Sequence, residues 1–357
     1  MQTIACTVEE VVLGVDTHLD THTAALVDLL GRQVACATFP TTKRGITALI
    51  AWARRRGTVR RAGVEGTGSY GVGLSRRLGL EGIEVLEVTR PARKGARHLG
   101  KNDARDAVAA ALGILGDQRL AVPKVRDGIV EAIRVLRNTR ASAVKARTQT
   151  ILQVRSLILT APDELREALR DTNTKELVAT CARWQRRASL DALQATRQAL
   201  RALARRHRQL DEEIAELDAE LLRLTRQAAP RLLAQQGIGA ETAARLLIVA
   251  GDNPQRLRSD SALAALCGAS PVEASSGKTT RHRLNRGGDR QGNNALWTIA
   301  TNRMIHDPQT RDYVKRRTAD GKNTKEIRRC LMRHIARGIF PLLIADLRDA
   351  QQQSALT

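Results

Sequence analysis

VVLGVDTHLD, residues 11–20, is the stretch that decides the fold of the N-terminal part of the chain. Its apolar run Val11–Val15 predicts a buried strand, and Asp16 closes that strand. A second strand, Val59–Val64, is closed by Glu65 immediately before a glycine-rich turn. Each acid therefore stands at the end of a predicted strand, where a fold can gather side chains from different elements.

A third stretch, LGKNDARDAVAAAL, adds two more acids at the start of an apolar helical run. Asp103 and Asp106 are three residues apart, which puts both carboxylates on one face of a helix. Four carboxylates brought to one place would repel one another unless a cation held them. Hard divalent metals take oxygen ligands, so the set predicts a metal site.

The order of the predicted elements is three strands, helix, strand, helix, strand and helix. Their predicted bounds are Val11–Asp16, Thr21–Leu30, Arg32–Phe39, Thr42–Arg56, Val59–Glu65, Ser69–Leu78, Ile83–Val88 and Asp103–Leu115. This is the order of the ribonuclease-H-like α/β fold, in which the first and fourth strands are neighbours. We therefore expect the strand ends to meet at one rim and the last helix to bring its acids there.

Composition indicates a polyanionic partner. Lys and Arg number 59 against 37 Asp and Glu, a net charge of +22, which favours nucleic acid. The alternative is a basic protein that is merely soluble. Aromatic residues make up only 2% of the chain, so contacts to phosphates are favoured over base-stacking platforms.

The cysteines and the hydropathy pattern predict a cytoplasmic protein. The five cysteines are odd in number, far apart and without a CxxC pair, which argues against a zinc site or a disulfide framework. The N-terminus lacks the pattern of a signal peptide, and no apolar stretch approaches the ~18 residues of a membrane span.

The length of 357 residues accommodates two or three domains, and we expect boundaries at 8–125, 126–229 and 230–350. The middle region begins with a long predicted helix, Ile129–Leu159, free of internal proline and glycine. Its arginines are either a solvated face or a basic rib that contacts nucleic acid, and the net charge favours the second reading. The candidates for this rib are Arg137, Arg140 and Arg147.

A heptad repeat follows between Leu193 and Leu224, where steps of three and four alternate as in a coiled coil. His207 falls in this seam, where a polar residue that sets register is favoured over a ligand. A basic block precedes an acidic block along the repeat, an asymmetry that suits antiparallel pairing within the chain or between protomers. The repeat therefore predicts a helical middle region with a role in assembly.

The C-terminal region, predicted to be mainly α-helical, carries a basic, glycine- and serine-rich loop. It begins with a tight turn, Gly237-Ile238-Gly239, which is either a helix-hairpin-helix that presents N–H groups to phosphate or an ordinary turn. Further on, Ser275-Ser276-Gly277 is followed by four cations that would clamp phosphates: Lys278, Arg281, Arg283 and Arg286. A serine hydroxyl is a weak nucleophile until activated, and spacing alone favours an ordinary loop serine.

Taken together, the motifs GVDTH, GVEGTGSYG, KNDARDA and GASPVEASSGKTTRHRLNRGGDRQGNNAL resemble a known family over nearly the whole chain. The chain resembles bacterial insertion-sequence transposases with an N-terminal DEDD, RuvC-like domain and a C-terminal domain that bears a serine. This group includes the bridge-RNA-guided recombinases and the related Piv-type DNA invertases. The combination of motifs is specific, although each motif alone is not.

The resemblance implies roles for individual residues. It implies that Asp16, Glu65, Asp103 and Asp106 bind Mg²⁺, as two ions in each site, and that Ser276 attacks DNA to form a phosphoserine link. Ser276 is preferred over Ser275 because it directly precedes the glycine. Family members act as oligomers, so a dimer or tetramer is expected, on donor and target DNA with a structured guide RNA.

Three functions remain open at this stage. The leading one is a DNA recombinase with a serine nucleophile and metal-binding acids. The second is a metal-dependent, structure-selective nuclease or resolvase that uses water as the nucleophile. The third is a non-enzymatic scaffold that binds DNA or RNA through a degenerate domain.

Overall fold

The computed structural model describes residues 10–88, 102–116, 120–185, 191–278, 282–283 and 285–355. The chain divides into two compact units. The first unit comprises Met1–Asp127 with Gly251–Arg258, and the second comprises Gly128–Ala250 with Ser259–Thr357. The N-terminal part is mixed α/β and the C-terminal part is helical, as predicted.

The described residues of the first unit form a six-stranded sheet with three α-helices and a short 3₁₀ helix. The strands are β1 (Glu10–Thr17), β2 (Thr21–Asp28), β3 (Gln33–Pro40), β4 (Thr58–Val64), β5 (Glu84–Val88) and β6 (Leu120–Ala121). The helices are α1 (Lys43–Arg54), α2 (Val72–Leu80), α3 (Asp103–Leu115) and the 3₁₀ turn Pro254–Arg256.

The sheet order is β3-β2-β1-β4-β5-β6. Strand β2 runs antiparallel to β1, whereas β4 runs parallel to β1 and β5 parallel to β4. The prediction that the first and fourth strands are neighbours is therefore confirmed. One face of the sheet packs on α1 and α2 around fully buried side chains such as Leu13, Leu26, Leu49 and Leu74.

Helix α3 packs on the sheet at two glycines. Gly14 of β1 and Gly63 of β4 are paired in register. A Cβ at Gly14 would lie 2.0 Å from the carbonyl oxygen of Ala107, and one at Gly63 would lie 2.4 Å from that of Ala110. The helix backbone therefore rests directly on the strand backbone, closer than any side chain allows. This contact fixes the position of α3 above the strand ends.

The first unit is completed by a segment from much later in the chain. Asn253, almost fully buried, donates from its side-chain amide to the carbonyl oxygen of Pro123 at 2.9 Å. Arg256 donates from Nε to the carbonyl oxygen of Val122 at 2.7 Å. These bonds satisfy carbonyl groups that follow the edge strand β6, so Gly251–Arg258 belongs to this unit structurally.

In the second unit the described residues form ten helices and one two-stranded hairpin. The helices are α4 (Ile129–Leu159), α5 (Asp163–Leu169), α6 (Thr174–Arg183), α7 (Ala192–Ala228), α8 (Pro230–Leu233), α9 (Ala240–Ala250), α10 (Asp260–Leu266), α11 (Arg290–His306), α12 (Pro308–Ala319) and α13 (Thr324–Ala355). The hairpin strands are β7 (Val272–Glu273) and β8 (His282–Arg283), which pair antiparallel.

Helices α4 and α7 form an antiparallel pair within one chain. Buried residues of α7 recur every seven positions at Leu200, His207, Ile214, Leu221 and Ala228. On α4 the positions 133, 140, 147 and 154 recur with the same period. Arg140 pairs with Asp218, and Arg147 pairs with Asp211 at 2.6 Å, which fixes the antiparallel register. The predicted heptad is therefore satisfied inside the chain.

A buried carboxylate caps the start of α8. Asp346 of α13 accepts from the backbone N–H of Leu232 at 3.0 Å and from that of Arg231 at 3.2 Å. The guanidinium of Arg231 also donates to it, at 3.1 Å. The carboxylate thus satisfies orphan N–H groups of a helix N-terminus.

Among the described helices, none is sufficiently long and apolar to traverse a bilayer.

Candidate active site

The ends of β1 and α3 bring three potential metal ligands together. Asp16, 1% exposed, is the second-to-last residue of β1, and His18 begins the turn to β2. The Nε2 atom of His18 lies 3.1 Å from Oδ2 of Asp16 and 3.5 Å from Oδ2 of Asp103. One ligand atom from each of the three residues lies within 4.8 Å of the others. This group of Asp16, His18 and Asp103 is called the acidic cluster below.

Glu65 and Asp106 border the acidic cluster without belonging to that close group. The backbone N–H of Glu65 donates to the carbonyl oxygen of Val15 at 3.1 Å, which extends the pairing of β1 with β4. The hydroxyl of Thr17 donates to the carbonyl oxygen of Glu65 at 2.7 Å. Asp106 is half-buried one turn along α3 from Asp103.

The first turn of α3 favours the two acids that it carries. Asn102 caps this helix, because its side-chain oxygen accepts from the N–H of Ala104 at 2.9 Å. Asp103 and Asp106 lie in that first turn, where the helix dipole stabilises negative charge. Together with Asp16, these acids concentrate negative charge that a divalent cation would balance.

The donor set of the acidic cluster fits a divalent metal ion. Two carboxylates and one imidazole lie close enough to share one ion. Carboxylate oxygens suit Mg²⁺ and Mn²⁺, whereas an imidazole is a more usual ligand of the later transition metals. The mixture is therefore compatible with an oxygen-preferring metal that tolerates one nitrogen ligand.

A second histidine lies behind the cluster on β2. His22 is 1% exposed and pairs in register with Thr17 of β1. Burial lowers the pKa of His22, and the nearby His18 lowers it further, which outweighs a backbone hydrogen bond that raises it. The side chain is therefore neutral at pH 7, and it adds no positive charge beneath the acids.

The glycine-rich stretch after Glu65 forms a turn, as predicted, and the guanidinium of Arg126 lies next to it. Gly66 has a φ of 68°, in the region that favours glycine. Arg76 of α2 donates to the carbonyl oxygens of Val125 and Arg126. Arg126 itself has a φ of 59°, and its guanidinium lies next to Gly68. A strained non-glycine residue thus lies against the turn that follows Glu65.

Ser276 lies in the connection between β7 and β8, in the second unit. Ser275, Ser276 and the following Gly277 and Lys278 are all exposed, and Gly277 has a φ of 56°. An exposed serine before a left-handed glycine is accessible to an incoming strand. Of the predicted phosphate-binding cations, Lys278, Arg283 and Arg286 are exposed, whereas Arg281 lies outside the described residues.

The base of this hairpin is anchored by close backbone packing. A Cβ at Gly288 would lie 2.2 Å from the backbone nitrogen of Gly268. Asp289 then caps α11, accepting from the N–H groups of Gln291 and Gly292 at 2.8 and 2.9 Å. The side chain of Asn293 donates to the carbonyl oxygen of Cys267 at 2.9 Å. The motif RGGDRQGNN therefore holds the end of the hairpin on the helical body.

The three arginines predicted to form a basic rib on α4 are all engaged in ion pairs. Arg137 pairs with Glu241 at 2.8 Å, and Arg140 and Arg147 pair with acids of α7 as described above. These arginines hold helices of the second unit together. Their contact with nucleic acid stays a prediction, one that has to compete with these internal partners.

The predicted helix-hairpin-helix turn lies immediately before α9. Gly237 has a φ of 80°, and the hydroxyl of Thr242 donates to the carbonyl oxygen of Gly239 at 2.9 Å. Glu241 stands in the first turn of α9. A carboxylate there disfavours an anion, so phosphate binding at this turn remains one of two interpretations.

Sequence reasoning missed His18 and the two packing glycines. His18 follows Asp16 by two residues in the quoted motif, but its role depends on a turn that the pattern does not specify. The glycines had a visible signal, because each one precedes an acid by two residues, in Gly14-Val15-Asp16 and Gly63-Val64-Glu65. Residues two apart on a strand share a face, so the face that admits α3 also carries the acids.

Comparison with known proteins gives the same family at both ends of the chain. Residues 13–161 match the DEDD transposase model of IS110 elements, described as "Transposase". Residues 229–315 match a model described as "Transposase IS116/IS110/IS902 family".

One curated relative is the "Insertion element IS110 uncharacterized 43.6 kDa protein" of Streptomyces coelicolor. It is 35% identical over 122 residues, which are 34% of this chain and 29% of the relative. The match thus covers less than a third of the relative's length. The two family models nevertheless match separate regions and agree with each other, so residues 13–161 and 229–315 are both similar to transposases of the IS110 family.

Proposed function

We propose that this chain is a DNA transposase that cuts and rejoins strands through a phosphoserine intermediate. The observation that carries the proposal is the acidic cluster, which lies within the region matched by the DEDD transposase model. The net charge of +22 and the exposed serine in a basic hairpin support DNA as the substrate.

Asp16, Glu65, Asp103 and Asp106 are proposed to hold two Mg²⁺ ions, with His18 beside them. When bound, the metal supplies positive charge that stabilises the charge developing on phosphate oxygens. The acids would hold the metal in place, and the glycine packing beneath α3 keeps their spacing constant. His18 is positioned by the Asp16 carboxylate and limits the directions from which a ligand enters.

Ser276 is proposed to attack the phosphorus atom with its Oγ. The Oγ–P bond forms as the bond from phosphorus to one sugar oxygen breaks, and the serine proton ends on the released oxygen, directly or through water. The phosphate is then held as a diester between Ser276 and one DNA strand. A sugar hydroxyl from another strand attacks the same phosphorus, which releases the serine and rejoins DNA. Lys278, Arg281, Arg283 and Arg286 are proposed to bind the flanking phosphates.

Assembly and guidance complete the proposal. We propose a homodimer or homotetramer on donor and target DNA, with acids and serine contributed by different protomers. A structured guide RNA from the element would supply sequence specificity by base pairing, which leaves backbone contacts to the basic side chains. The α4–α7 coiled coil would then offer its exposed outer faces for assembly.

The decisive experiment looks for protein attached covalently to a DNA end. The chain is incubated with donor and target DNA, guide RNA and Mg²⁺, and adducts are separated under denaturing conditions. Ser276→Ala should abolish the adduct and strand exchange, whereas Ser275→Ala, its matched neighbour, should retain both. Strand exchange that survives both substitutions would overturn the serine mechanism.

The alternative is a metal-dependent, structure-selective nuclease or resolvase with water as the nucleophile, which the acidic cluster alone would support. It predicts cleavage without an adduct, retained in Ser276→Ala and lost in Asp16→Asn. A scaffold without activity would instead show salt-sensitive binding that is unaffected by Asp103→Asn, and no cleavage.

A further inference from the structure

A cavity of ≈ 510 Å³ lies in the second unit between α11, α13 and the turn that leads into β7. This volume lies within the range of sites that bind small molecules or single residues of a polymer. Residues of four separate stretches line it, including Pro271, Arg283, Trp297 and Arg328. Because Arg283 belongs to β8, the cavity borders the hairpin that carries Ser276.

One wall of the cavity is an aromatic ring that the fold leaves open. Trp297 is 43% exposed, although its neighbours on α11, Leu296 and Ile299, are completely buried. The guanidinium carbon of Arg328 lies 5.0 Å from the ring centroid of Trp297. Trp52, in contrast, is 7% exposed and packs edge-on against a phenylalanine. A partly exposed indole with a guanidinium over its ring is a surface on which a flat π-system stacks.

The other walls are strongly basic. The lining cations are Arg283, Lys325, Arg328, Arg329 and Arg333, and the lining includes no carboxylate among the described residues. Arg333 is neutralised by Asp260 at 2.8 Å. For Lys325, Arg328 and Arg329 the described part of the chain offers no ion pair. Several uncompensated charges around one cavity predict an anionic ligand.

An unsatisfied donor gives a second indication of a ligand. The Nε atom of Arg328 is buried and has no hydrogen-bond partner among the described residues. A buried N–H without an acceptor is costly, at roughly 1–3 kcal/mol, so such donors usually meet a partner in the functional state. An anion or a base edge in the cavity would supply that acceptor.

We propose that this cavity binds one unpaired nucleotide of a nucleic-acid strand. The base stacks on Trp297 beside Arg328, and Lys325 and Arg329 bind the adjoining phosphates. A base within a duplex cannot reach such a wall, so the nucleotide has to be unstacked from its helix. Since Arg283 contributes to both the cavity and the hairpin, the captured nucleotide would fix the register of the strand relative to Ser276.

This inference rests on the proposed function only in taking nucleic acid as the partner. Its test uses the full chain and short single strands that carry 2-aminopurine, whose fluorescence is quenched on stacking. DNA and RNA strands of one sequence form the two arms, together with the corresponding DNA duplex. We expect quenching of the single strands, and the arm with the stronger effect identifies the strand type.

Trp297→Leu should weaken single-strand binding about tenfold and abolish the quenching, because stacking on an aromatic ring contributes strongly per base. Trp297→Phe should restore most of both effects. Trp184→Leu is the matched control, since Trp184 also lies under an arginine but is packed in a hydrophobic cluster away from the cavity. Thermal melting verifies that each variant is folded.

The charge arm uses an exposed residue, so that folding is not at risk. Arg329→Gln should lower the slope of log K against log salt by about 0.7 for single strands, as expected for one lost phosphate contact. Arg311→Gln, an equally exposed arginine on α12 outside the lining of the cavity, should leave the 2-aminopurine quenching unchanged.

Binding of both single strands by Trp297→Leu within about twofold of the parent, with quenching intact, would overturn the proposal. An equal loss on single strands and duplex would overturn it too. Ser276→Ala separates the two proposals, since it removes the adduct but should leave quenching intact. In the unsubstituted chain, quenching without an adduct would overturn the serine mechanism alone, and an adduct without quenching would overturn the cavity proposal alone.

Discussion

Helices α3 and α4 are held against their neighbours by opposite means. Helix α3 rests with its backbone on Gly14 and Gly63, with no side chain between. Helix α4 packs on α7 through side chains, which include the buried heptad positions and the pairs of Arg140 and Arg147 with acids of α7. A backbone contact permits one distance only, whereas a flexible ion pair tolerates small shifts. The chain therefore places its acids on the stiffer kind of contact.

The largest effect is expected from breaking the backbone contact. Gly14→Ala puts a Cβ 2.0 Å from the carbonyl oxygen of Ala107, so α3 has to move off the sheet. We expect a loss of about 3 kcal/mol in the free energy of unfolding, measured by urea denaturation, together with faster hydrogen exchange in α3.

Gly79→Ala is the matched control, because a Cβ at Gly79 meets no atom within 4 Å and lies in a helix. This variant should be more stable than the parent by about 0.5–1 kcal/mol. If both alanine variants unfold at the same urea concentration, the packing account of α3 is wrong.

The second prediction tests whether the acids next to the α3 contact bind a metal ion. Titration with Mg²⁺ or Mn²⁺ should stabilise the first unit by about 2.7 kcal/mol when the metal is at a hundred times its dissociation constant. Asp16→Asn should remove this response, and hydrogen exchange should show that α4 and α7 are unaffected. If the metal slows hydrogen exchange equally in α3 and in the α4–α7 pair, a metal site at Asp16 is contradicted.

A smaller effect is expected from the ion pairs. Arg147→Asp opposes a new carboxylate to Asp211, whose other oxygen lies 3.1 Å from Nδ1 of His207. Both partners are partly exposed, so we expect a loss of about 1 kcal/mol. Combining it with Asp211→Arg should restore at least half of that loss in a double-mutant cycle. Purely additive losses would show that charge does not set the register.

The smallest effect is a dependence on pH. Burial alone would raise the pKa of Glu241, but the hydrogen bonds and charges of Arg137 and Arg245 outweigh burial and lower it below its usual 4.5. Because the folded-state pKa is the lower one, this contribution is present above pH 4.5 and is lost as the pH falls through the folded value.

Glu241→Gln should therefore flatten the acid limb of the stability curve by less than about 1 kcal/mol, since the side chain is partly exposed to solvent. Acid denaturation followed by circular dichroism measures it. A parent and variant with superimposable curves below pH 4.5 would show that the pair is too well screened to matter.

The sequence predicts strands β1 to β5, because they are short and bounded by turns and several carry apolar runs, whereas the two-residue strand β6 was not predicted. The neighbouring positions of β1 and β4 follow from the element order and are confirmed. The acidic cluster is harder to predict from the sequence. His18 depends on the exact turn after Thr17, and the role of the acids as metal ligands stays a prediction.

The second unit was harder to predict, since its contacts join distant residues. In the sequence, Arg140 and Arg147 look like residues of a solvent-facing helix surface. Only the antiparallel alignment with α7 shows that each has an acidic partner, Asp218 and Asp211, seven residues apart. The cavity at Trp297 has no local signal either, because its cations come from α13 and β8. Periodicity reports which face of a helix is apolar, but not which helix covers it.

Because Gly251–Arg258 belongs to the first unit but is synthesised after Gly128–Ala250, the first unit is completed late in translation. Until Asn253 and Arg256 have been synthesised, the carbonyls of Pro123 and Val122 lack these partners. At roughly 5–20 residues per second, the ribosome needs on the order of ten seconds to add the intervening stretch Gly128–Ala250. The first unit of a nascent chain therefore lacks these two hydrogen bonds until Gly128–Ala250 of the second unit has been synthesised.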